Sequence, residues 1–197
     1  MKYFDTFSGI GGFPLGIQLA YELSQMGTKP QNSTNDKGRT SQHSERPLCI
    51  GYSEIDKYAQ QIYQAHFPNH KNYGDITQIH WESVPDFDLL VGGVPCQSWS
   101  TAGKRGGFED ERGNMWFQYS KILRAKRPKY FVAENVKGLL SHDGGKSMER
   151  ICEELCDCGY AIDFEVLNSK NFGVPQNRER VFIVGKRLDT LPEGAIY

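Results

Sequence analysis

Short apolar runs alternate along this chain with stretches of helical periodicity, and several of the runs end on a glycine or an acid. Lys2-Tyr3-Phe4-Asp5-Thr6-Phe7 predicts a strand, and Ser8-Gly9-Ile10-Gly11-Gly12 a turn into a helix with Leu15, Leu19 and Leu23 on one face. Leu48-Cys49-Ile50-Gly51-Tyr52-Ser53-Glu54 predicts a second strand, followed by a helix through Ala59, Ile62, Tyr63 and Phe67 and then by Gly74-Asp75-Ile76. Asp88-Leu89-Leu90-Val91 reads as a buried strand opening into the turn Gly92-Gly93-Val94-Pro95-Cys96-Gln97-Ser98-Trp99-Ser100. A helix from about Asn114 to Lys126, a strand Tyr130-Phe131-Val132-Ala133 ending in Glu134-Asn135-Val136, a helix around 147–155 and strands near 160–167 and 180–184 complete the pattern. Such alternation predicts an α/β fold with a doubly wound, mostly parallel sheet.

In open sheets of this kind the ligand crevice lies outside the carboxyl ends of the strands. Cys96 and Glu134 both stand at predicted strand ends, so a thiol and a carboxyl would face one pocket. The loop Gly9-Ile10-Gly11-Gly12 admits close backbone approach at a helix N-terminus, which favours an anionic group. It is not the dinucleotide fingerprint, because position 14 is Pro14 where the third glycine is needed. Between residues 27 and 47 the chain turns polar, with almost nothing to bury, and reads as a surface insertion. Leaving that insertion out, Glu54 follows Gly12 by roughly 20 positions, the spacing of an acid that grips ribose hydroxyls.

Composition narrows the setting. A chain of 197 residues predicts one domain, spanning about 1–186 with a short tail at 187–197. The net charge is −1, so any nucleic-acid contact must be local. Five cysteines, Cys49, Cys96, Cys152, Cys156 and Cys158, with no leader-like segment and no 18-residue apolar run, predict a reducing, intracellular and cytoplasmic setting without a membrane partner.

Taken in order, Asp5-Thr6-Phe7-Ser8-Gly9-Ile10-Gly11-Gly12-Phe13, Glu54, Asp75, Pro95-Cys96-Gln97, Glu134-Asn135-Val136 and Gln176-Asn177-Arg178-Glu179-Arg180 resemble the motifs of the cytosine-C5 DNA methyltransferases, from about residue 3 to 186. The resemblance implies a Rossmann-like methyltransferase fold with S-adenosylmethionine as cofactor, S-adenosylhomocysteine as product and no metal. It implies double-stranded DNA as substrate and a restriction-modification or phage DNA-protection setting in a prokaryotic or phage-infected cell. By the same resemblance Gly9, Gly11 and Gly12 would line the methionine end of the cofactor, Glu54 would hold the ribose and Asp75 would accept from the adenine amino group. Phe7 and Ile55 would pack around adenine and sulfonium, with Ile76 and Pro95 completing the cofactor site.

Carbon 5 of cytosine is too weak a nucleophile to take a methyl group until a thiolate adds at carbon 6, and Cys96 would supply that thiolate. Arg178 and Arg180 would raise its thiolate fraction, and Arg180 would hold the cytosine O2. Glu134, its pKa raised by burial, would neutralise charge at ring nitrogen 3. Asn135 would order the loop behind Pro95, while Gln97, Ser100 and Arg112 would meet DNA. The base must leave the stack to be reached, and the glycine-rich residues 100–112 read as a lid that closes on it.

Other readings fit the residues less well. A lone cysteine is more often a buried apolar residue, but a Pro-Cys-Gln setting at a strand end reverses that preference. Cys152, Cys156 and Cys158 lack the fourth ligand of a closed zinc site. Gly144-Gly145-Lys146-Ser147 imitates a phosphate loop, but Leu140 stands where its first glycine belongs, so it reads as a helix start. His80 and His142 sit in no hydrolase setting, and Trp99 breaks the P-C-x-x-C of zinc deaminases. Family members continue with a target-recognition region and a closing motif, which predicts a fold incomplete at its C-terminus. The chain is then either active alone or a truncated or split part completed by a second chain. A cofactor- or partner-binding module and an RNA cytosine-C5 methyltransferase are the remaining alternatives.

Overall fold

The computed structural model describes residues 1–26, 45–95 and 115–192. In chain order these form β1 (Lys2–Thr6), α1 (Gly12–Met26), β2 (Leu48–Ser53), α2 (Lys57–His66), β3 (Leu89–Gly93), α3 (Met115–Lys126), β4 (Tyr130–Val136), α4 (Lys146–Asp157), β5 (Tyr160–Asn168) and β6 (Glu179–Arg187), with short 3-10 turns between them. The six strands make one sheet in the order β2-β1-β3-β4-β6-β5. β1 pairs in parallel with β2 and β3, and β3 with β4, whereas β6 runs antiparallel to both β4 and β5. Only β6 is reversed, so the sheet is mostly parallel. The reversal follows from length: only residues 169–178 join β5 to β6, too few for the helical crossover that a parallel pair requires.

Side chains on a strand alternate between faces, and here the two faces carry unequal cores. Phe4, Leu90, Phe131, Ala133, Val181 and Ile183 point to one side, where Trp116, Tyr119, Ile122 and Leu123 of α3 and Met148, Ile151 and Leu155 of α4 bury them. Each large aliphatic or aromatic side chain sealed there contributes roughly 1.5–3 kcal/mol. The apolar positions of α4 recur at helical spacing, and Gly145, in the left-handed region, starts that helix as the sequence suggests.

The opposite face is thinner. Tyr3, Leu89 and Val91 form its buried cluster, with Phe13, Ile17, Cys49, Tyr130 and Val132 packed around it. α1 covers it with Pro14 as its one buried residue. Leu15, Leu19 and Leu23 do share one face of α1, but that face points outward: they are 52%, 50% and 67% exposed. Val184 on β6 and Val136 at the end of β4 are exposed as well. α2 is better anchored: Asp56 caps it by accepting from the amides of Tyr58 and Ala59, and Tyr63 stacks on Tyr52 at 3.8 Å between ring centroids. Residues 27–44, the larger part of the polar insertion, and the whole glycine-rich 100–112 segment lie outside the described residues.

Candidate active site

Register brings the predicted site residues to one edge of the sheet. Thr6 pairs with Ser53 on one side and Gly92 on the other, and Gly93 pairs with Glu134. The loop after β1, Glu54 after β2, Gly93 to Pro95 after β3 and Glu134 on β4 therefore emerge side by side at the carboxyl ends. Adjacent strands lie about 4.8 Å apart, so Glu54 and Glu134, three strand spacings apart, are separated by about 14 Å. Gly93 marks the middle of this row: a Cβ added there would stand 3.4 Å from Glu134 Oε2 and 3.9 Å from the Phe7 carbonyl oxygen.

The glycine loop is tightly folded. Phe7 (φ 50°), Gly9 (φ 53°) and Gly11 (φ 95°) all lie in the left-handed region, which for a phenylalanine is a stored strain of the kind found at ligand clamps. The glycines are not equivalent. Gly9 and Gly12 look onto open space, with nothing within 4 Å of an added Cβ, so their backbone is free to meet a ligand. Gly11 instead faces inward, where a Cβ would stand 2.8 Å from the Phe67 ring. Gly11→Ala is therefore expected to cost about 1–3 kcal/mol of stability in urea unfolding, while Gly12→Ala leaves stability within about 0.5 kcal/mol of the parent.

Glu54 closes the loop from the next strand. Its Oε2 accepts from the Gly9 amide at 2.8 Å, and its Oε1 from the Ile55 and Asp56 amides, each at 2.8 Å. Its own backbone is clamped by residues the sequence did not single out. Asn72 Nδ2 and Gln60 Nε2 both donate to the Glu54 carbonyl, and the Glu54 amide donates to Asn72 Oδ1. Ile55 is 69% exposed beside it. Asp75 is also exposed, and its Oδ1 accepts from the amide and hydroxyl of Thr77. The Ile76 side chain is buried in the larger core, so it supports the loop from below.

Beneath the loop lies an acid that the sequence reading left as part of a motif. Asp5 is fully buried, and among the described residues both its oxygens lack a hydrogen-bond partner, as does the Ser8 hydroxyl. Burial, with Glu54 second, raises the Asp5 carboxyl well above the ordinary range. The folded chain then holds a proton that the unfolded chain gives up at about pH 3.9. Its contribution to stability is full below that pH and is lost as pH rises through the folded value. Unpaired buried polar groups are rare, and Asp5 and Ser8 flank the turn from β1 into the glycine loop.

At the other end of the row, Arg180 Nε lies 2.9 Å from Glu134 Oε1, and Arg178 Nη2 lies 3.9 Å from the same oxygen. Lys137 Nζ meets both carboxylate oxygens of Glu179 at 3.0 Å, tying the start of β6 to the end of β4. The buried acid expected at position 134 is not what forms: the Glu134 side chain is 22% exposed and ion-paired. The reason is the antiparallel register of β6, which sets Phe182 opposite Glu134 and Arg180 opposite Val136. Both arginines consequently face the carboxylate. Asn135 is buried and donates from Nδ2 to the Val94 carbonyl at 2.9 Å, just before Pro95.

Cys96, Gln97, Ser100 and Arg112 lie outside the described residues. Among the described residues no group of three or more histidines, cysteines or acids is placed to hold a metal ion, and no helix is long and apolar enough to cross a membrane. Cys158 is buried, its thiol pushed up to about 11 by burial. A cavity of about 370 Å³, lined by Tyr3, Ile17, Arg46, Cys49, His66 and His70 among others, opens at the amino ends of β1 and β2 and so belongs to a different part of the molecule.

An α/β sheet with a glycine loop after β1, an acid after β2 and reactive groups at the ends of the central strands defines an S-adenosylmethionine-dependent methyltransferase fold. DNMT2 of Spodoptera frugiperda, in a triple-mutant crystal structure, shares this fold with a TM-score of 0.68 at 22% identity, covering 99% of this chain and 53% of that one. The family model for C-5 cytosine-specific DNA methylases matches residues 1–194, and the chain belongs to that family. The chain is 53% identical over 196 residues to the orphan methyltransferase M.Rho11sI of Bacillus phage rho11s, and 42% identical over 189 residues to the type II methyltransferase M.BsuFI of Bacillus subtilis. These alignments cover 97% and 96% of this chain but only 34% and 40% of the relatives. The residues present fit S-adenosylmethionine: open backbone at Gly9 and Gly12, the Glu54 carboxylate, and two orphaned buried groups, Asp5 and Ser8, beneath the loop.

Proposed function

We propose that this chain is the cofactor-binding and catalytic part of a DNA (cytosine-5-)-methyltransferase. The single observation that carries the reading is the row of strand ends that sets the glycine loop and Glu54 on one side of Gly93 and the Glu134–Arg180 pair on the other. S-Adenosylmethionine supplies an electrophilic methyl group on a sulfonium. Glu54 and the open amides of Gly9 and Gly12 hold the cofactor, with Ile55, Asp75 and Ile76 around its adenine and Phe7 and Pro95 toward the reacting end. Cys96 adds to carbon 6 of a flipped-out cytosine and makes carbon 5 nucleophilic. Glu134 meets the developing charge at ring nitrogen 3 while Arg180 holds O2 and, with Arg178, keeps the carboxyl in place. Asn135 fixes the turn through the Val94 carbonyl. Loss of the carbon-5 proton then expels the thiolate and leaves 5-methylcytosine. Gln97, Ser100 and Arg112 contact the DNA.

Two measurements test this division of roles. Glu54→Ala removes the acceptor of three backbone amides and is expected to weaken S-adenosylmethionine binding by about 10- to 100-fold in calorimetry. Labelled methyl transfer to mixed-sequence DNA is expected to depend on Cys96; label that persists in Cys96→Ala refutes the reading.

The outward leucines of α1 favour a second element of the proposal. An exposed leucine stripe of this kind is a contact surface, and the chain spans little more than a third of M.Rho11sI. A further segment or a second chain, carrying target recognition, completes the enzyme on that side. Its addition is expected to raise transfer to duplex DNA without altering the requirement for Cys96.

A further inference from the structure

The two acids assigned to the nucleoside of the cofactor, Glu54 and Asp75, are separated in sequence by the whole of α2, yet one side chain joins their backbones. Residues 71–73 return beside β2 in parallel: the Tyr52 amide donates to the Lys71 carbonyl at 2.9 Å, and the Tyr73 amide to the Tyr52 carbonyl at 2.8 Å. Past the end of β2 the next rung is made by a side chain. Asn72 Oδ1 accepts from the Glu54 amide at 3.3 Å and from the Gly74 amide at 2.9 Å, while Asn72 Nδ2 donates to the Glu54 carbonyl at 3.1 Å. A carboxamide carries an acceptor and a donor in one plane, as a peptide unit does, so it prolongs the ladder by one step. Two amides on one atom and a carbonyl on the other admit only this orientation of the group. Ser53 adds a second tie, its hydroxyl donating to the Gly74 carbonyl at 2.7 Å. The backbone that carries Glu54 and the turn that carries Asp75 are thus held to each other before any ligand enters.

We propose that Asn72 is a positioning residue for the cofactor: by fixing the Glu54 backbone against the Gly74–Asp75 turn, it sets the spacing between the acid that holds the ribose and the acid that meets the adenine. The inference rests on the cofactor reading above, and it gives Asn72 no contact with the ligand. Ribose and adenine belong to one nucleoside, so their two partners grip it together only at a matching spacing. Where that spacing is set in advance, binding does not have to order the turn; where it is not, part of the affinity is lost to that ordering. Asn72→Asp isolates the amide. It keeps the size of the side chain and an oxygen for the two amides, but it has no donor for the Glu54 carbonyl and sets a negative charge beside it. The backbone rungs at Tyr52 and the Ser53 tie do not depend on the Asn72 side chain, so they keep the segment in place.

The test is titration calorimetry of the 197-residue chain with S-adenosylhomocysteine and with adenosine, for the parent, Asn72→Asp, Asp75→Asn and the double variant. Asn72→Asp is expected to weaken both ligands by the same factor, about tenfold, because only the nucleoside contacts are displaced. In the Asp75→Asn background its effect falls to about threefold or less, since a spacing has no meaning once one of its two partners is gone. A residue that merely supports the fold would give the same loss in both backgrounds and would weaken S-adenosylhomocysteine more than adenosine. Parental affinity in Asn72→Asp, or full additivity with Asp75→Asn, overturns the proposal. Amide hydrogen exchange on the parent chain gives an arm that needs no variant. The Glu54 and Gly74 amides share one acceptor, so bound S-adenosylhomocysteine is expected to slow both by factors that agree within about threefold. Protection of one without the other overturns the proposal. Affinity that depends on Glu54 and Asp75 but not on Asn72 refutes only the role of Asn72. Absence of binding of either ligand by the parent refutes the cofactor reading and the inference with it.

Discussion

Cys96→Ala is expected to reduce methyl transfer by a factor on the order of 10⁴ or more while leaving S-adenosylmethionine affinity within about twofold. The asymmetry follows from where the groups stand. Apart from Pro95, the residues proposed to hold the cofactor follow β1 and β2 or stand at the turn around Asp75, whereas Cys96 comes after β3. Carbon 5 of cytosine has no route to nucleophilicity without addition at carbon 6, and alanine at position 96 carries no group that can add there. Single-turnover transfer and calorimetry on the same preparation check both halves. Equal losses of transfer and cofactor affinity would show that the thiol supports the fold or the cofactor.

Glu134→Gln is the second large effect, an expected loss of about 10²- to 10⁴-fold in the chemical step. The amide keeps the size of the acid but cannot exchange a proton with the ring, and it leaves Arg180 and Arg178 without their carboxylate. Stability changes little by comparison, because the arginines are partly solvated and such pairs contribute about 0–1 kcal/mol. Transfer within about threefold of the parent, with the fold intact, would remove Glu134 from the chemistry.

The parallel core of the sheet was legible because each strand is a short apolar run bounded by glycine or a polar residue and followed by helical periodicity. The reversal of β6 had a signal too: residues 169–178 are too few for a crossover helix. What could not be read was anything set by a distant partner. The leucine spacing on α1 is the same whether that face is covered or open, so periodicity identified the stripe without saying that it points outward. The state of Glu134 depends on the β4–β6 register, a pairing across more than forty positions of sequence, and so the expected burial gave way to an ion pair. Asp5 stood in plain view as an acid within the apolar run Tyr3-Phe4. A strand acid is recognised as an orphan only when the surrounding elements fail to supply a partner.

The stripe on α1 and the chemistry at the strand ends place two demands on one small sheet. Its larger core packs β3 and β4, which lead to the proposed reacting groups, against α3 and α4. Its thinner core packs Phe13 and Ile17 of α1 on Tyr3, Leu89 and Val91, while Leu15, Leu19 and Leu23 stand exposed. Covering the leucines is therefore expected to act on the cofactor loop before it acts on Glu134.

The central claim is that this strand-end site performs cysteine-dependent chemistry at cytosine carbon 5. A single-stranded oligonucleotide bearing 5-fluorocytosine isolates that step, since no duplex has to be opened and fluorine cannot leave carbon 5 as a proton does. With S-adenosylmethionine present, the account predicts a denaturation-resistant adduct between chain and oligonucleotide that requires both the cofactor and Cys96. Absence of the adduct, or its equal formation by Cys96→Ala, would contradict it.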